Sequence, residues 1–143
     1  MPITVTAPHG VLTAAGEREI LPKLTQAVLE INGAVGNDAF RSLVGGHVEL
    51  HDPARVFAGG RNRPVLVISF DAPHSAFPTQ ESRTAFIEAA TGIVDDCTVP
   101  SHGREDTWIN IFNAPNGAWG IGGVAYDDDA LTARIVAGAR VAG

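Results

Sequence analysis

The second residue of the chain is a proline, and it is the residue whose chemistry is easiest to argue from its position. Pro2 directly follows the initiator methionine, which methionine aminopeptidase removes when the next residue is small. Pro2 then carries a secondary amine, and a terminal amine has a pKa of about 7.7–8.0. Burial lowers that pKa because desolvation disfavours the charged form. Pro2 is therefore a candidate general base or acid, unless Met1 is retained and Pro2 merely begins a strand.

A second group of residues has the spacing of a metal site. His47, Glu49 and His51 alternate along a predicted strand, so their side chains share one face. Two histidines and a carboxylate can bind zinc or non-haem iron. The alternative is a solvated or subunit-facing strand surface, and no further ligand is evident. We therefore predict no metal and no other cofactor, and keep the metal site as the less favoured hypothesis.

The composition of the chain limits the classes of function. It has 143 residues, of which 45% are hydrophobic and 18% charged, as expected of one globular domain over 1–143. The net charge of −6 disfavours nucleic-acid and anionic-membrane partners. No apolar run reaches the ~20 residues of a membrane-spanning helix, and the N-terminus lacks a signal-peptide pattern. We predict a cytoplasmic protein that acts on a small molecule.

The elements that position Pro2 are repeated once along the chain. The ranges 2–60 and 64–123 each predict a strand, a helix, a strand and a turn with paired glycines, at nearly the same offset. Thr13 and Thr79 are the predicted N-caps of the two helices. Pro22 predicts a kink or a later start in the first helix. The acidic run at 127–129 predicts a terminal helix over 127–142.

This repeat predicts an α+β sandwich. Each unit is a β-α-β crossover with parallel strands, and the two units together place two helices on one four-stranded mixed sheet. In the strand at 107–113, Ile109 and Ile111 point one way, while Trp108, Asn110 and Phe112 point the other. The first face suits packing under helices. The second, half polar, is typical of a face that lines a site or a subunit contact.

Met1-Pro2-Ile3, Gly10 at the end of the first strand, and two β-α-β units closing in Gly-Gly turns together resemble the tautomerase superfamily. That group includes 4-oxalocrotonate tautomerase, macrophage migration inhibitory factor, malonate semialdehyde decarboxylase and cis-3-chloroacrylic acid dehalogenase. The range 113–123 is similar to the hairpin of the short tautomerases, and 56–60 to the dehalogenase. The resemblance covers nearly the whole chain in a fused two-unit form. It implies β-α-β-β-α-β subunits in a homotrimer, with the N-terminal proline at the base of a pocket.

The resemblance also implies partners for that proline. Asp38 falls where the decarboxylase has its catalytic aspartate, and His74 where it has a substrate-binding arginine. Trp108 and Asn110 match a tyrosine and an asparagine that line the pocket of the inhibitory factor. Asn113 lies where the dehalogenase has its water-activating glutamate. The implied site thus pairs the proline with Asp38 for catalysis and uses the other four residues to bind substrate.

The chain departs from the family at the arginines that bind carboxylates bidentately. The corresponding positions are Val11 or Leu12 after the first strand, and Ala72, His74 and Ser75 after the second. We predict a cofactor-independent isomerase that interconverts the keto and enol forms of a small 2-oxo acid or enol, with a monocarboxylate or an aryl enol favoured over a dianion. The alternatives are a decarboxylase, a hydratase or dehalogenase of the same superfamily, or a non-catalytic trimeric binding protein if Met1 is retained.

Overall fold

The computed structural model describes residues 1–141. Its strands are β1 (Pro2–Pro8), β2 (Gly45–His51), β3 (Phe57–Ala58), β4 (Arg61–Asn62), β5 (Leu66–Pro73), β6 (Thr107–Ala114), β7 (Trp119–Ile121) and β8 (Val124–Tyr126). Its α-helices are α1 (Ala14–Ile31), α2 (Asp38–Arg41), α3 (Gln80–Cys97) and α4 (Asp128–Val141).

The main sheet has four strands in the order β2-β1-β5-β6. β1 pairs in parallel with β2, and β5 with β6, while β1 and β5 run antiparallel at the centre. The helices α1 and α3 connect the parallel pairs, as crossovers must. The predicted α+β sandwich, a tandem β-α-β repeat on a four-stranded mixed sheet, is thus confirmed.

The long helices begin at the predicted caps. The Thr13 hydroxyl accepts a hydrogen bond from the backbone N–H of Gly16 at 2.9 Å, and the Thr79 hydroxyl accepts one from Ser82 at 3.0 Å. Pro22 lies inside α1, which runs without interruption from Ala14, so the expectation of a later start is wrong. Pro22 is exposed, and the carbonyl it leaves without a helical donor can bond to water.

The core lies between the two long helices and one face of the sheet. Ile3, Val5, Ile68 and Phe70 of the central strands are fully buried. Other fully buried residues come from the helices: Ile20, Leu24, Val28, Phe86 and Val94. The opposite sheet face carries the exposed Trp108 and Phe112. This face is uncovered in the single chain.

α4 packs outside the repeat, against α2. The two helices approach most closely where Gly138 faces Ala39, since a Cβ on Gly138 would lie 2.2 Å from the Ala39 Cβ. Asp127 caps α4 by accepting a hydrogen bond from the N–H of Ala130 at 2.8 Å. The helix was expected over 127–142, and position 142 lies outside the described residues. None of the described helices is long and apolar enough to cross a membrane.

Candidate functional site

The chain begins inside the fold rather than on its surface. Met1 is only 6% exposed and belongs to the hydrophobic core, and its α-amino group donates a hydrogen bond to the carbonyl oxygen of Leu43. Burial lowers the pKa of this amine from 8.0 to about 6, and the nearby Asp71 carboxylate offsets the effect in part. The start of β1 is therefore a place where an amine loses its proton more readily than in water.

Two cavities meet at Met1. The first, here the helix-covered cavity, has a volume of about 300 Å³ and lies under α4; besides Met1, its walls include Asn37, Phe40, Ser75, Leu131, Thr132 and Ile135. The second, here the hairpin cavity, has a volume of about 450 Å³; besides Met1, its walls include Pro2, Leu43, Trp119 and Ile121. Met1 lines both cavities, so they adjoin each other at the start of β1.

Neither cavity has a charged side chain in its wall within the described part of the chain. The polar groups of the helix-covered cavity are amides and hydroxyls. The Asn37 side-chain oxygen accepts a hydrogen bond from the N–H of Phe40 at 2.9 Å, which caps α2 and leaves the Asn37 amide nitrogen as a donor. Ser75 and Thr132 contribute hydroxyls. The terminal amine of Met1 borders both cavities, and with a pKa of about 6 it is largely neutral at pH 7.

Trp119 stands out among the walls of the hairpin cavity. Its indole Nε1 is buried and forms no hydrogen bond with any residue that the structure describes. A buried N–H is normally paired, so this donor is available to an acceptor that reaches it. The second tryptophan differs: Trp108 is 43% exposed and donates its indole N–H to the Glu105 carbonyl at 3.2 Å.

The predicted site residues fall into two groups. Asp38, His74 and Asn113 lie at the same end of the sheet as Pro2, but all three are exposed and none lines either cavity. Asp38 is the first residue of α2, directly after the cap, and the Asn113 side chain donates to the Pro73 carbonyl at 3.3 Å. These three residues surround the cavities rather than line them.

Trp108 and Asn110 lie farther from Pro2 within one chain. Trp108 pairs with Val67, whose partner on β1 is Thr6, and Asn110 pairs with Ser69, whose partner is Thr4. Trp108 is thus four residues along the sheet from Pro2, ~13 Å, and two strands across. A direct role in the same pocket would require these side chains to come from another copy of the chain.

The two histidines of β2 both approach the carboxylate of Glu49. The His47 Nε2 lies 3.0 Å from one Glu49 oxygen, and the His51 Nε2 lies 3.9 Å from the other. All three side chains are about half exposed on an edge strand. Across residues 1–141, no group of three His, Cys, Asp or Glu side chains is arranged to hold a metal ion. The arrangement is that of a solvated ion-paired strand surface.

The second proline, Pro64, borders a smaller cavity of about 190 Å³ at the opposite end of the sheet. His9 and His102 line it, and no α-helix covers it. Burial lowers the pKa of His102, although Asp106 and Asp95 oppose the shift. The His102 Nε2 lies 3.0 Å from the Thr107 hydroxyl, while its buried Nδ1 has no partner among the described residues.

Several residues at the Pro2 end were not predicted from the sequence. Asn37, Leu131, Thr132 and Ile135 line the helix-covered cavity, and Met1 lines both cavities. A signal existed for α4, because Leu131 and Ile135 are four residues apart and share one helix face. Nothing in the local sequence shows that this face covers the start of β1.

No family model matches the chain, and neither does any curated protein. Solved structures do match. A fused 4-OT that forms a symmetric trimer has a TM-score of 0.73 and 20% identity over 91% of this chain and 98% of that one. A member of the cis-3-chloroacrylic acid dehalogenase family has a TM-score of 0.70 and 21% identity over 90% and 87%. The macrophage migration inhibitory factor of Oncomelania hupensis has a TM-score of 0.67 and 12% identity over 89% and 97%.

The chain therefore has the fold of the tautomerase superfamily. It has that fold in the fused two-unit form, as the sequence resemblance implies. Three branches with different activities match at similar TM-scores. Identities this low establish the fold alone, so the reaction must be argued from the site.

Proposed function

We propose that the chain is a cofactor-independent tautomerase-superfamily enzyme in which Pro2 is the general base and acid. The observation that carries the proposal is the start of β1, which borders two cavities at Met1. Burial lowers the pKa of the Met1 amine there to about 6, and the next residue, Pro2, is exposed at the wall of the hairpin cavity. Removal of Met1 transfers the free amine to Pro2, which already lines the hairpin cavity. A base works best when its pKa lies near the operating pH, and burial moves an amine in that direction.

The proposed reaction is keto–enol tautomerisation of a small 2-oxo acid or enol. In the ketonisation direction, the neutral Pro2 nitrogen accepts the proton of the enol hydroxyl as the carbonyl forms. The protonated nitrogen then donates the same proton to the carbon that receives the electron pair of the C=C bond. Proton and electrons balance without a cofactor. The step requires the nitrogen within about 2.6–3.2 Å of both atoms in turn.

The remaining predicted residues have supporting roles in this proposal. Asp38 assists catalysis by orienting the substrate from the start of α2, while His74 and Asn113 bind substrate oxygens at the cavity mouth. Trp108 and Asn110 reach the pocket from a neighbouring subunit, which requires the homotrimer. Trimeric assembly is proposed here because the matching fused 4-OT is a trimer and because Trp108 and Phe112 leave the outer sheet face apolar and uncovered.

The residues in and around the two cavities support decarboxylation and hydration less well than tautomerisation. Hydration requires a group that accepts a proton from water, and the Asn113 amide cannot do so. A decarboxylase or dehalogenase would also need its substrate carboxylate held firmly, yet among the described residues no arginine lines either cavity.

A non-catalytic binding protein is the second candidate. It is favoured by one observation, which is that Met1 is well packed and that its amine is bonded to the Leu43 carbonyl. In a chain that keeps Met1, the Pro2 nitrogen is an amide without a basic lone pair.

The decisive experiment compares two forms of one sequence. The first form is expressed from its own start codon, and its intact mass is expected to show loss of Met1. The second is released from an N-terminal tag by a protease that cuts directly before Met1. We expect ketonisation of phenylenolpyruvate by the first form and a loss of about 10²–10⁴-fold in the second, the usual contribution of a general acid or base. Equal rates in the two forms, or no conversion of any enol by the Met1-free form, would refute the proposal.

A further inference from the structure

We infer that α4 makes the helix-covered cavity a specificity pocket for an uncharged, apolar end of the substrate. The chain would then select enols with an aryl or branched alkyl group over dicarboxylates. This inference rests on the proposed function and names the substrate class of the same site. Leu131, Thr132 and Ile135 are the specificity-determining residues.

The wall of this cavity combines polar groups with apolar side chains from α2 and α4. Leu131 is 2% exposed and Phe40 is 6% exposed, and both come from helices that the β-α-β repeat itself does not require. Ile135 adds a half-buried aliphatic side chain one turn along α4. These apolar side chains favour a hydrocarbon group of the ligand because that group leaves water.

The volume of the cavity fits one ring with a small head group. Apolar cavities of about 150 Å³ already accommodate benzene, and small-molecule pockets begin at about 300 Å³. The helix-covered cavity has a volume of about 300 Å³. A phenyl or branched alkyl group therefore fills much of it, whereas a small aliphatic acid leaves it partly empty.

The charge distribution opposes a second carboxylate. No lysine, arginine or histidine among the described residues lines the helix-covered cavity, so a carboxylate buried there would lack a cationic partner. The Asn37 amide and the Ser75 hydroxyl are the donors of this wall that remain without Met1, and they suit one carboxylate or one enol oxygen. The polar end of the substrate is therefore expected at these donors, and its uncharged end deeper in the cavity.

Met1 lies between the helix-covered cavity and Pro2, the proposed base. Met1 lines both cavities, so its removal enlarges the space that they share at the start of β1. A ring in the helix-covered cavity would then place the attached enol beside Pro2. The position of α4 is fixed by the Gly138–Ala39 approach and by a hydrogen bond from the Arg134 guanidinium to the Tyr126 hydroxyl at 2.8 Å.

The test uses the Met1-free chain and two enols, phenylenolpyruvate and the dicarboxylate 2-hydroxymuconate. Wild type is expected to prefer phenylenolpyruvate in kcat/KM. Ile135→Trp fills the cavity and should lower kcat/KM for phenylenolpyruvate about tenfold or more, while the rate with 2-hydroxymuconate changes little. The matched control is Val136→Trp, because Val136 is 43% exposed on the same helix and does not line the cavity.

A second pair of variants introduces charge instead of bulk. Thr132→Arg places a guanidinium on the cavity wall from an exposed position and should shift the preference towards 2-hydroxymuconate about tenfold. Ala133→Arg is the control, since Ala133 is exposed and lies outside the wall. Calorimetric binding of phenylpropanoate and adipate checks the same selectivity without turnover, and phenylpropanoate is expected to bind more tightly.

The outcomes separate the two claims. A wild-type chain that converts neither enol overturns the proposed function. A wild-type chain that converts enols but prefers 2-hydroxymuconate, or whose preference is unchanged in both Ile135→Trp and Thr132→Arg, overturns only the specificity pocket. Binding of at least one of the two test acids shows that each cavity variant is folded. Thr132→Arg replaces an exposed residue, so we expect this variant to fold.

Discussion

Each end of the central sheet has a proline beside a cavity, but the two ends differ in the groups that surround the proline. At one end Pro2 follows a buried, desolvated amine, and α4 covers a cavity of about 300 Å³. At the other end Pro64 is an internal amide beside a cavity of about 190 Å³ that carries His9 and His102 instead of a helical cover. The comparison shows that the repeated units supply the same framework twice, while a free amine and a terminal helix are available only once.

The largest expected difference between the two ends is catalytic. Pro2→Ala should lower kcat/KM for phenylenolpyruvate by about 10²-fold, near the lower limit for a general acid or base because alanine still provides a terminal amine. Pro64→Ala should stay within about twofold, since the Pro64 nitrogen is an amide in every form of the chain. Steady-state kinetics of the two variants measures the contrast. Similar losses in both would show that the proline matters for the framework and not for proton transfer.

The second contrast is the contribution of α4 to stability. Leu131→Ala removes a buried side chain from the helix-covered cavity and should lower the free energy of unfolding by about 2–5 kcal/mol. Val136→Ala, on the exposed face of the same helix, should change it by less than about 0.5 kcal/mol. Urea denaturation of both variants provides the comparison. Equal, small effects would mean that α4 does not pack on this end in solution.

The third contrast is between the two tryptophans. Trp119→Phe keeps a ring in the hairpin cavity but removes the buried indole N–H, and we expect about a tenfold rise in KM, which is ~1.4 kcal/mol for a donor that binds a substrate oxygen. Trp108→Phe should change KM less than twofold, because the Trp108 N–H is already bonded to the Glu105 carbonyl. If the two variants behave alike, the Trp119 donor has no role in binding.

The fourth contrast is in the pH dependence of stability. In the chain that keeps Met1, the amine has a pKa of about 6 when folded and 8.0 when free, so the unfolded state binds more protons between these values. The stability from this group is complete above about pH 8 and is lost as the pH falls to about 6. An Nα-acetylated chain should lack this dependence, and the difference between their melting curves from pH 5 to 9 isolates it. Identical curves would show that the amine is solvated.

His102 at the Pro64 end has its pKa lowered in the same way. Its contribution to stability is also lost as the pH falls, from the ordinary histidine value of 6.5 downwards. Acetylation of the N-terminus leaves this part unchanged, so the two ends can be measured separately. A His102→Asn variant should lose only the pH dependence of stability below pH 6.5 and keep the dependence that comes from the terminal amine.

The fold could be predicted from the sequence because its signals are local and repeated. The caps Thr13 and Thr79, the helical spacing of buried residues and the paired glycines each specify one element, and the duplication sets their order. Pro22 does not delay the start of α1, because its exposed position lets the helix tolerate a missing donor. Local signals of this kind are consistent with the global fold, as expected of a natural sequence.

The candidate site could be predicted only in part. Pro2 was predicted from its chemistry and lines the hairpin cavity, whereas Asp38 lies beside Asn37, which lines the helix-covered cavity. The helix-covered cavity itself could not be foreseen, since its walls come from Met1, the end of α1, the end of β5 and α4. No spacing in the sequence indicates that such distant segments meet.

The burial of Met1 has a consequence for the timing of maturation. A residue that is 6% exposed and bonded to the Leu43 carbonyl is out of reach of an aminopeptidase once the chain has folded. Under the proposed function, trimming therefore belongs to the moment when the nascent terminus leaves the ribosome, before β1 enters the sheet. A molecule that escapes this step stays inert for its lifetime, so the specific activity of a preparation reports how its synthesis was processed.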